Sequence, residues 1–159
     1  WYEQAAAQGD GRALCNLGLC YELGTGVAED PAKAVEYYRQ GAEAGNITAA
    51  CNLGYCYLVG IGVSPDPAEA VKWLRPCAEK GYGRALGLLG DCYRDGAGVT
   101  ADREEAARLY RKAAGCGYSP AKESLKELEA AGKSSGGASA AKPERARKKK
   151  SLLGRLFGK

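Results

Sequence analysis

The run Leu17-Gly18-Leu19-Cys20-Tyr21-Glu22-Leu23-Gly24-Thr25-Gly26-Val27 returns as Leu53-Gly54-Tyr55-Cys56-Tyr57-Leu58-Val59-Gly60-Ile61-Gly62-Val63. It returns again as Leu89-Gly90-Asp91-Cys92-Tyr93-Arg94-Asp95-Gly96-Ala97-Gly98-Val99. The offset is 36 residues both times, with no insertion or deletion. A fixed period of that length rules out most folds. A unit so short cannot bury its apolar face alone, so it must stack on its neighbours in a solenoid.

Two helices fill each unit. Ala13/Leu17/Tyr21, Ala49/Leu53/Tyr57 and Ala85/Leu89/Tyr93 fall at i, i+4 and i+8, one apolar stripe on a helix, and predict first helices over 11–23, 47–59 and 83–95. Gly24, Gly60 and Gly96 are placed to stop them in the left-handed conformation. Gly18, Gly54 and Gly90 lower helix propensity at one repeated phase, which predicts a crossing helix with no room for a Cβ. Second helices begin at Asp30-Pro31, Asp66-Pro67 and Asp102, with aspartate as N-cap and proline, where present, at the first helical position. Glu69 and Glu105 follow their aspartates by three residues, the spacing of a capping box. Ala34/Tyr38/Ala42, Ala70/Leu74/Ala78 and Ala106/Tyr110/Ala114 form the matching stripes, and Gly45, Gly81 and Gly117 close them. Pro76 falls inside the second of these helices and is expected to kink it near Lys72.

Trp1 shares the phase of Tyr37, Trp73 and Leu109, so the sequence is expected to open inside a repeat, at its second helix. After Ser119-Pro120 a last helix keeps Ala121 and Leu125 in phase but is charged at Lys122, Glu123, Lys126 and Glu127, as the polar end of an array requires. The expected organisation is a solenoid over 1–131, a Gly/Ser/Ala/Lys linker over 132–144 and a basic amphipathic tail over 145–159. Charge divides at the same place. Residues 1–131 carry 14 Lys/Arg against 18 Asp/Glu, whereas 132–159 carry 9 basic side chains and 1 acid.

These units resemble the Sel1-like repeat, a relative of the tetratricopeptide repeat, with its pattern A-x3-L-G-x2-Y-x2-G-x-G-V followed by Asp, Ala, an aromatic pair and A-A-x2-G. The resemblance implies an all-α, right-handed solenoid of antiparallel helix pairs, acting as a scaffold or adaptor that binds other proteins. A cysteine-rich secreted branch of that family includes proteins described as penicillin-binding or β-lactamases, and this is the alternative reading. A third reading is an accessory module of an upstream domain. The secreted branch joins the phase of Ala42 to that of Ala50 by a disulfide. Here those phases hold Ala42/Ala50, Ala78/Leu86 and Ala114/Lys122, so no pair matches.

Seven cysteines remain to be explained. Cys15 and Cys20, like Cys51 and Cys56, are five apart and point about 140° from each other on a helix, so one zinc ion is not gripped by either pair. Cysteine serves better as a small buried apolar residue at helix interfaces, and reduced thiols in a cytoplasm are expected. The absence of histidine excludes His-based triads and His metal sites. The Gly-x-Gly turns follow no strand and lack the lysine of a phosphate loop. No catalytic residue, metal or cofactor is expected.

A partner is expected instead: in tetratricopeptide-like arrays the first helices line the concave face, so the resemblance implies a protein or peptide held there. The phases beside the core stripe supply Arg12, Asn16, Leu19 and Glu22 in the first unit, and Thr48, Asn52, Tyr55 and Leu58 in the second. The third gives Arg84, Leu88, Asp91 and Arg94. Asn16 and Asn52 share a phase. Their amides either hold an extended peptide backbone or bind the backbone of the next helix. In the tail, Arg145, Arg147, Lys148, Lys149 and Lys150 precede Leu152, Leu153, Leu156 and Phe157, which share one helical face. Such a segment suits an anionic membrane surface, a partner's groove or the acidic solenoid itself, and a disordered solubilising tail accounts for its lysines alone. Nucleic acid is disfavoured by the acidic body and the lack of interleaved aromatics. The expected location is cytoplasmic, with peripheral membrane contact through the tail.

Overall fold

The computed structural model describes residues 2–134. Every element among them is a helix: α1 (Tyr2–Ala7), α2 (Gly11–Leu23), α3 (Pro31–Glu43), α4 (Ile47–Val59), α5 (Pro67–Glu79), α6 (Gly83–Asp95), α7 (Arg103–Gly115) and α8 (Pro120–Ser134). The first three residues of the expected linker, 132–134, continue α8; the rest of it and the tail, with Arg145, Arg147, Lys148–Lys150, Leu152, Leu153, Leu156 and Phe157, lie outside the described residues. Consecutive helices pack side by side from α1 to α8, and α2, α4 and α6 also touch along the array, as α6 touches α8. The result is the α-solenoid of helix pairs that the 36-residue period demands.

The first helices occupy the spans the stripes predict. Asp10, Asn46 and the second-helix aspartates Asp30, Asp66 and Asp102 each accept a backbone N–H from the first helical turn. Only half of the expected capping box forms. The N–H groups of Asp30, Asp66 and Asp102 donate to the carbonyls of Tyr21, Tyr57 and Tyr93, each at 2.8 Å. With those donors taken, Glu69 turns forward to Lys72 and Trp73, and Glu105 to Arg108. α6 departs from the pattern, because Tyr82 stands at its N-cap and makes no side-chain cap. α5 is a continuous helix through Pro76.

Each helix pair closes on the repeated glycine. A Cβ at Gly18 would lie 2.5 Å from Cε1 of Tyr38, one at Gly54 would lie 2.8 Å from Cγ of Leu74, and one at Gly90 would lie 2.6 Å from Cε1 of Tyr110. Tyr38, Leu74 and Tyr110 are each 0% exposed, so the glycine is a socket for the largest fully buried side chain of the second helix. Between units a loop adds to the helix packing. A Cβ at Gly62 would fall on the Pro31 carbonyl, and one at Gly98 on the Pro67 carbonyl, so each turn lies on the N-terminus of the second helix before it.

Two apolar clusters result. One joins the first two units through Cys15, Ala34, Val35, Tyr38, Ala49, Leu53 and Cys56. The other runs from Cys51 and Tyr55 through Leu74, Leu89 and Tyr110 to Ala121 and Leu128 of α8.

Candidate functional site

The residues of the expected face lie on α2, α4 and α6, and their environments differ by unit. In the first, Arg12 is exposed, while Asn16, Leu19 and Glu22 are half-buried. In the second, Thr48 is exposed and Leu58 half-buried, but Asn52 and Tyr55 are only 6% and 8% exposed. In the third, Arg84, Asp91 and Arg94 are half-buried and Leu88 is buried.

Asn52 is not open to solvent, as a groove residue would be. Its Oδ1 accepts from Nη1 of Arg84 at 2.6 Å, and its Nδ2 lies 3.8 Å from Sγ of Cys15. The amide therefore spans three units, meeting side chains on both sides and not the backbone of the next helix. Arg84 occupies the phase held by Thr48 one unit earlier. A threonine there is too short to reach back, and Asn16 keeps its amide unengaged by any described side chain. One phase thus holds one asparagine committed to packing and one that bonds to no described side chain.

The carboxylates of the face are tied to buried hydroxyls. Tyr38 Oη donates to Oε2 of Glu22 at 2.5 Å, and Tyr110 Oη donates to Oδ1 of Asp91 at 2.7 Å. Arg94 bridges Asp91 and Asp95 and reaches Tyr110. Burial, together with those carboxylates, raises the pKa of both tyrosines, so each hydroxyl stays protonated and donating. The middle unit has Leu74 where the others have tyrosine, and there Leu58 and Tyr55 stand in the phases of Glu22 and Asp91. Where the buried hydroxyl disappears, its acceptor disappears as well. Comparing phases within this one sequence reveals that pattern, and it explains why the face is apolar at its centre.

All seven cysteines are free thiols. Burial pushes Cys15 up to about 11 and Cys51, Cys56 and Cys92 up to about 12. They are neutral packing groups at physiological pH. Among the described residues no cluster of His, Cys, Asp or Glu is disposed to hold a metal ion. Two outcomes follow from the thiols. Iodoacetamide is expected to modify the exposed Cys116 in the native chain well before Cys51, and equal rates would contradict the packing. A folded thiol with raised pKa keeps a proton that the unfolded one releases. Stability from this source is therefore complete below the ordinary thiol value of 9.0 and is lost as pH climbs through about 11 to 12. Urea midpoints measured across that alkaline range check the sign.

The Sel1 repeat family matches residues 1–10, 11–46, 47–82 and 83–118. Among solved structures, a protective antigen present in uropathogenic Escherichia coli strains, displaying an SLR fold, superposes with a TM-score of 0.78 at 41% identity. That match covers 83% of this chain and 28% of the antigen. A Sel1 repeat protein from Oxalobacter formigenes gives 0.75 at 31% identity, covering 100% of this chain and 61% of its own. The present chain therefore spans under a third of the first relative and about three-fifths of the second. No curated protein matches it. With family matches over three consecutive 36-residue units, and with two solved relatives sharing the helix-pair architecture, this chain belongs to the Sel1 repeat family.

Proposed function

We propose that the chain is a non-catalytic interaction scaffold that seats a peptide or protein partner along α2, α4 and α6. The observation carrying this reading is the uneven packing of the two helix rows. First helices touch one another across units, whereas α3, α5 and α7 make no comparable approach among themselves. A row drawn together on one side bends toward that side, which supports a concave surface on the first helices. Apolar side chains remain accessible there: Leu23 is 45% exposed, and Leu19 and Leu58 are half-buried. Asn16 adds an amide able to donate and accept along a peptide backbone. The outer face instead carries exposed charges such as Glu36, Lys72 and Arg108. In residues 145–159 the basic and apolar side chains support a second attachment, to a partner or an anionic membrane.

The test is selection of displayed peptides on the full chain, followed by titration of the recovered peptides. Leu23→Asp is expected to weaken binding by about tenfold or more at unchanged melting temperature, because Leu23 is exposed in the free chain and a carboxylate there would be desolvated only at the apolar contact with the partner. Glu36→Ala on the outer face is expected to leave binding unchanged. Failure to recover any peptide, or sensitivity to Glu36→Ala alone, would overturn the proposal.

A further inference from the structure

We propose that residues 145–159 dock on their own array, against the end of α2 and the turn that follows it, and so compete with the partner for the first unit of the binding face. This rests on the reading of α2, α4 and α6 as that face. The starting observation is an apolar side chain with nothing to cover it. Leu23 is 45% exposed and belongs to neither apolar cluster, whereas Val59, in the same phase one unit on, packs against the second cluster. Leu19 is half-buried one turn earlier, at the i, i+4 spacing that puts both leucines on one face of α2.

Carboxylates gather at this helix end without cations to match them. Residues 22–30 hold Glu22, Glu29 and Asp30 and no basic side chain. Among the described residues none of the three takes part in an ion pair. The turn folds back on the helix, with Cβ of Glu29 3.4 Å from where a Cβ at Gly24 would stand and the Asp30 N–H donating to the Tyr21 carbonyl. Lys33, the next cation along the chain, is turned to Tyr21 instead. Its Nζ donates to Oη at 2.9 Å and lies 4.3 Å from the ring centroid. The last turn of α2 has no basic residue, so the negative end of the helix dipole adds to the three carboxylates. The later units differ. Residues 58–66 hold one acid, Asp66, and in 94–102 Arg94 is already paired with Asp95.

The tail supplies the complement. Arg145, Arg147, Lys148, Lys149 and Lys150 carry positive charge, and Leu152, Leu153, Leu156 and Phe157 offer an apolar face. Its reach is sufficient. A Cβ at Gly11 would lie 3.0 Å from Cβ of Asn46, and one at Gly83 would lie 3.0 Å from Cβ of Tyr118, so neighbouring first helices start side by side. They therefore run parallel, and the chain leaves α8 at the edge where α2 ends. Three helix-packing steps along that edge span roughly 24–30 Å. Ten residues separate Ser134 from Arg145, and such a stretch extends to about 36–40 Å. A tether of this length holds the tail at about millimolar effective concentration, which favours its own array over a second copy.

Photocrosslinking of the full chain tests this, with p-benzoylphenylalanine in place of Phe157, at about 1 μM protein and about 50 mM salt. The expected product is an adduct within one chain to the tryptic peptide Ala13–Lys33. Its yield should fall about fivefold or more at about 500 mM salt, and likewise in Glu29→Lys. No adduct, adducts spread along the array, adducts joining two chains, or a yield indifferent to both changes would overturn the docking. Closure of about two chains in three weakens a competing partner about threefold. Peptides recovered on the full chain are accordingly expected to bind Phe157→Ser about threefold more tightly. An unchanged affinity beside a confirmed adduct would overturn the competition, because tail and partner would then sit apart. If no peptide binds either protein, the binding face falls, and the crosslink still decides the docking.

Discussion

Replacing Gly98 with alanine is expected to destabilise the fold by about 2–4 kcal/mol, combining left-handed strain with a steric clash. Its φ is +72°, and a Cβ would collide with the carbonyl of Pro67 at the N-terminus of α5. Backbone cannot swing aside as a flexible side chain can, so the clash is relieved only by lifting the loop off the preceding unit. Gly62 faces Pro31 in the same way and is expected to respond alike. Gly26 supplies the internal control. Its φ is +74°, yet nothing lies within 4 Å of its Cβ position. Gly26→Ala is therefore expected to cost about 1–2 kcal/mol, the strain alone. Urea denaturation followed by far-UV circular dichroism compares the two. Equal losses at Gly26 and Gly98 would show that the loop–helix contact adds nothing to unit stacking.

Leu53→Ala is expected to cost about 2–5 kcal/mol, the range for emptying a fully buried leucine site. Leu53 is 0% exposed and belongs to the cluster containing Ala34, Val35 and Tyr38 of α3. The other cluster, which includes Leu89, Tyr110 and Leu128, does not contain it. Because a solenoid is coupled only between neighbours, the damage should be local. Amide hydrogen exchange is expected to accelerate in α2 and α3 more than in α6 and α7. Uniform acceleration would mean that the two clusters unfold as one. A small loss of stability would mean that the site collapses around alanine.

Much of the fold can be read directly from the residues. Ala, Leu and Tyr at fourfold spacing define the inward stripe, and the glycines ending each helix bracket it, so the bounds of α2, α4 and α6 needed nothing further. Gly18, Gly54 and Gly90 were equally legible as a crossing point, because a low-propensity residue kept at one phase of a helix implies a close neighbour. The capping box was half legible. Sequence spacing locates Glu69 three residues after Asp66, but it cannot reveal that the Asp66 N–H already donates to Tyr57. Asn52 was obscured in a similar way. Its position on one helix is clear from phase, but whether it is covered depends on Arg84, 32 residues away, being long enough to reach back. The Tyr–carboxylate pairs were recoverable by aligning the units against one another, since Leu74 and Leu58 replace both members of the pair formed by Tyr38 and Glu22.

Those pairs also bear on how an array of this kind can change its length. Tyr38 with Glu22 and Tyr110 with Asp91 are satisfied inside their own units. The loop contacts that cross a boundary use the same phase each time, with Gly62 on Pro31 and Gly98 on Pro67. An in-frame excision of residues 47–82 would bring Gly98 onto Pro31 and Arg84 beside Asn16, which has the phase of Asn52. No buried hydroxyl would lose its acceptor. Recombination between neighbouring units can therefore lengthen or shorten such a gene one whole repeat at a time, each product inheriting junctions already compatible with folding.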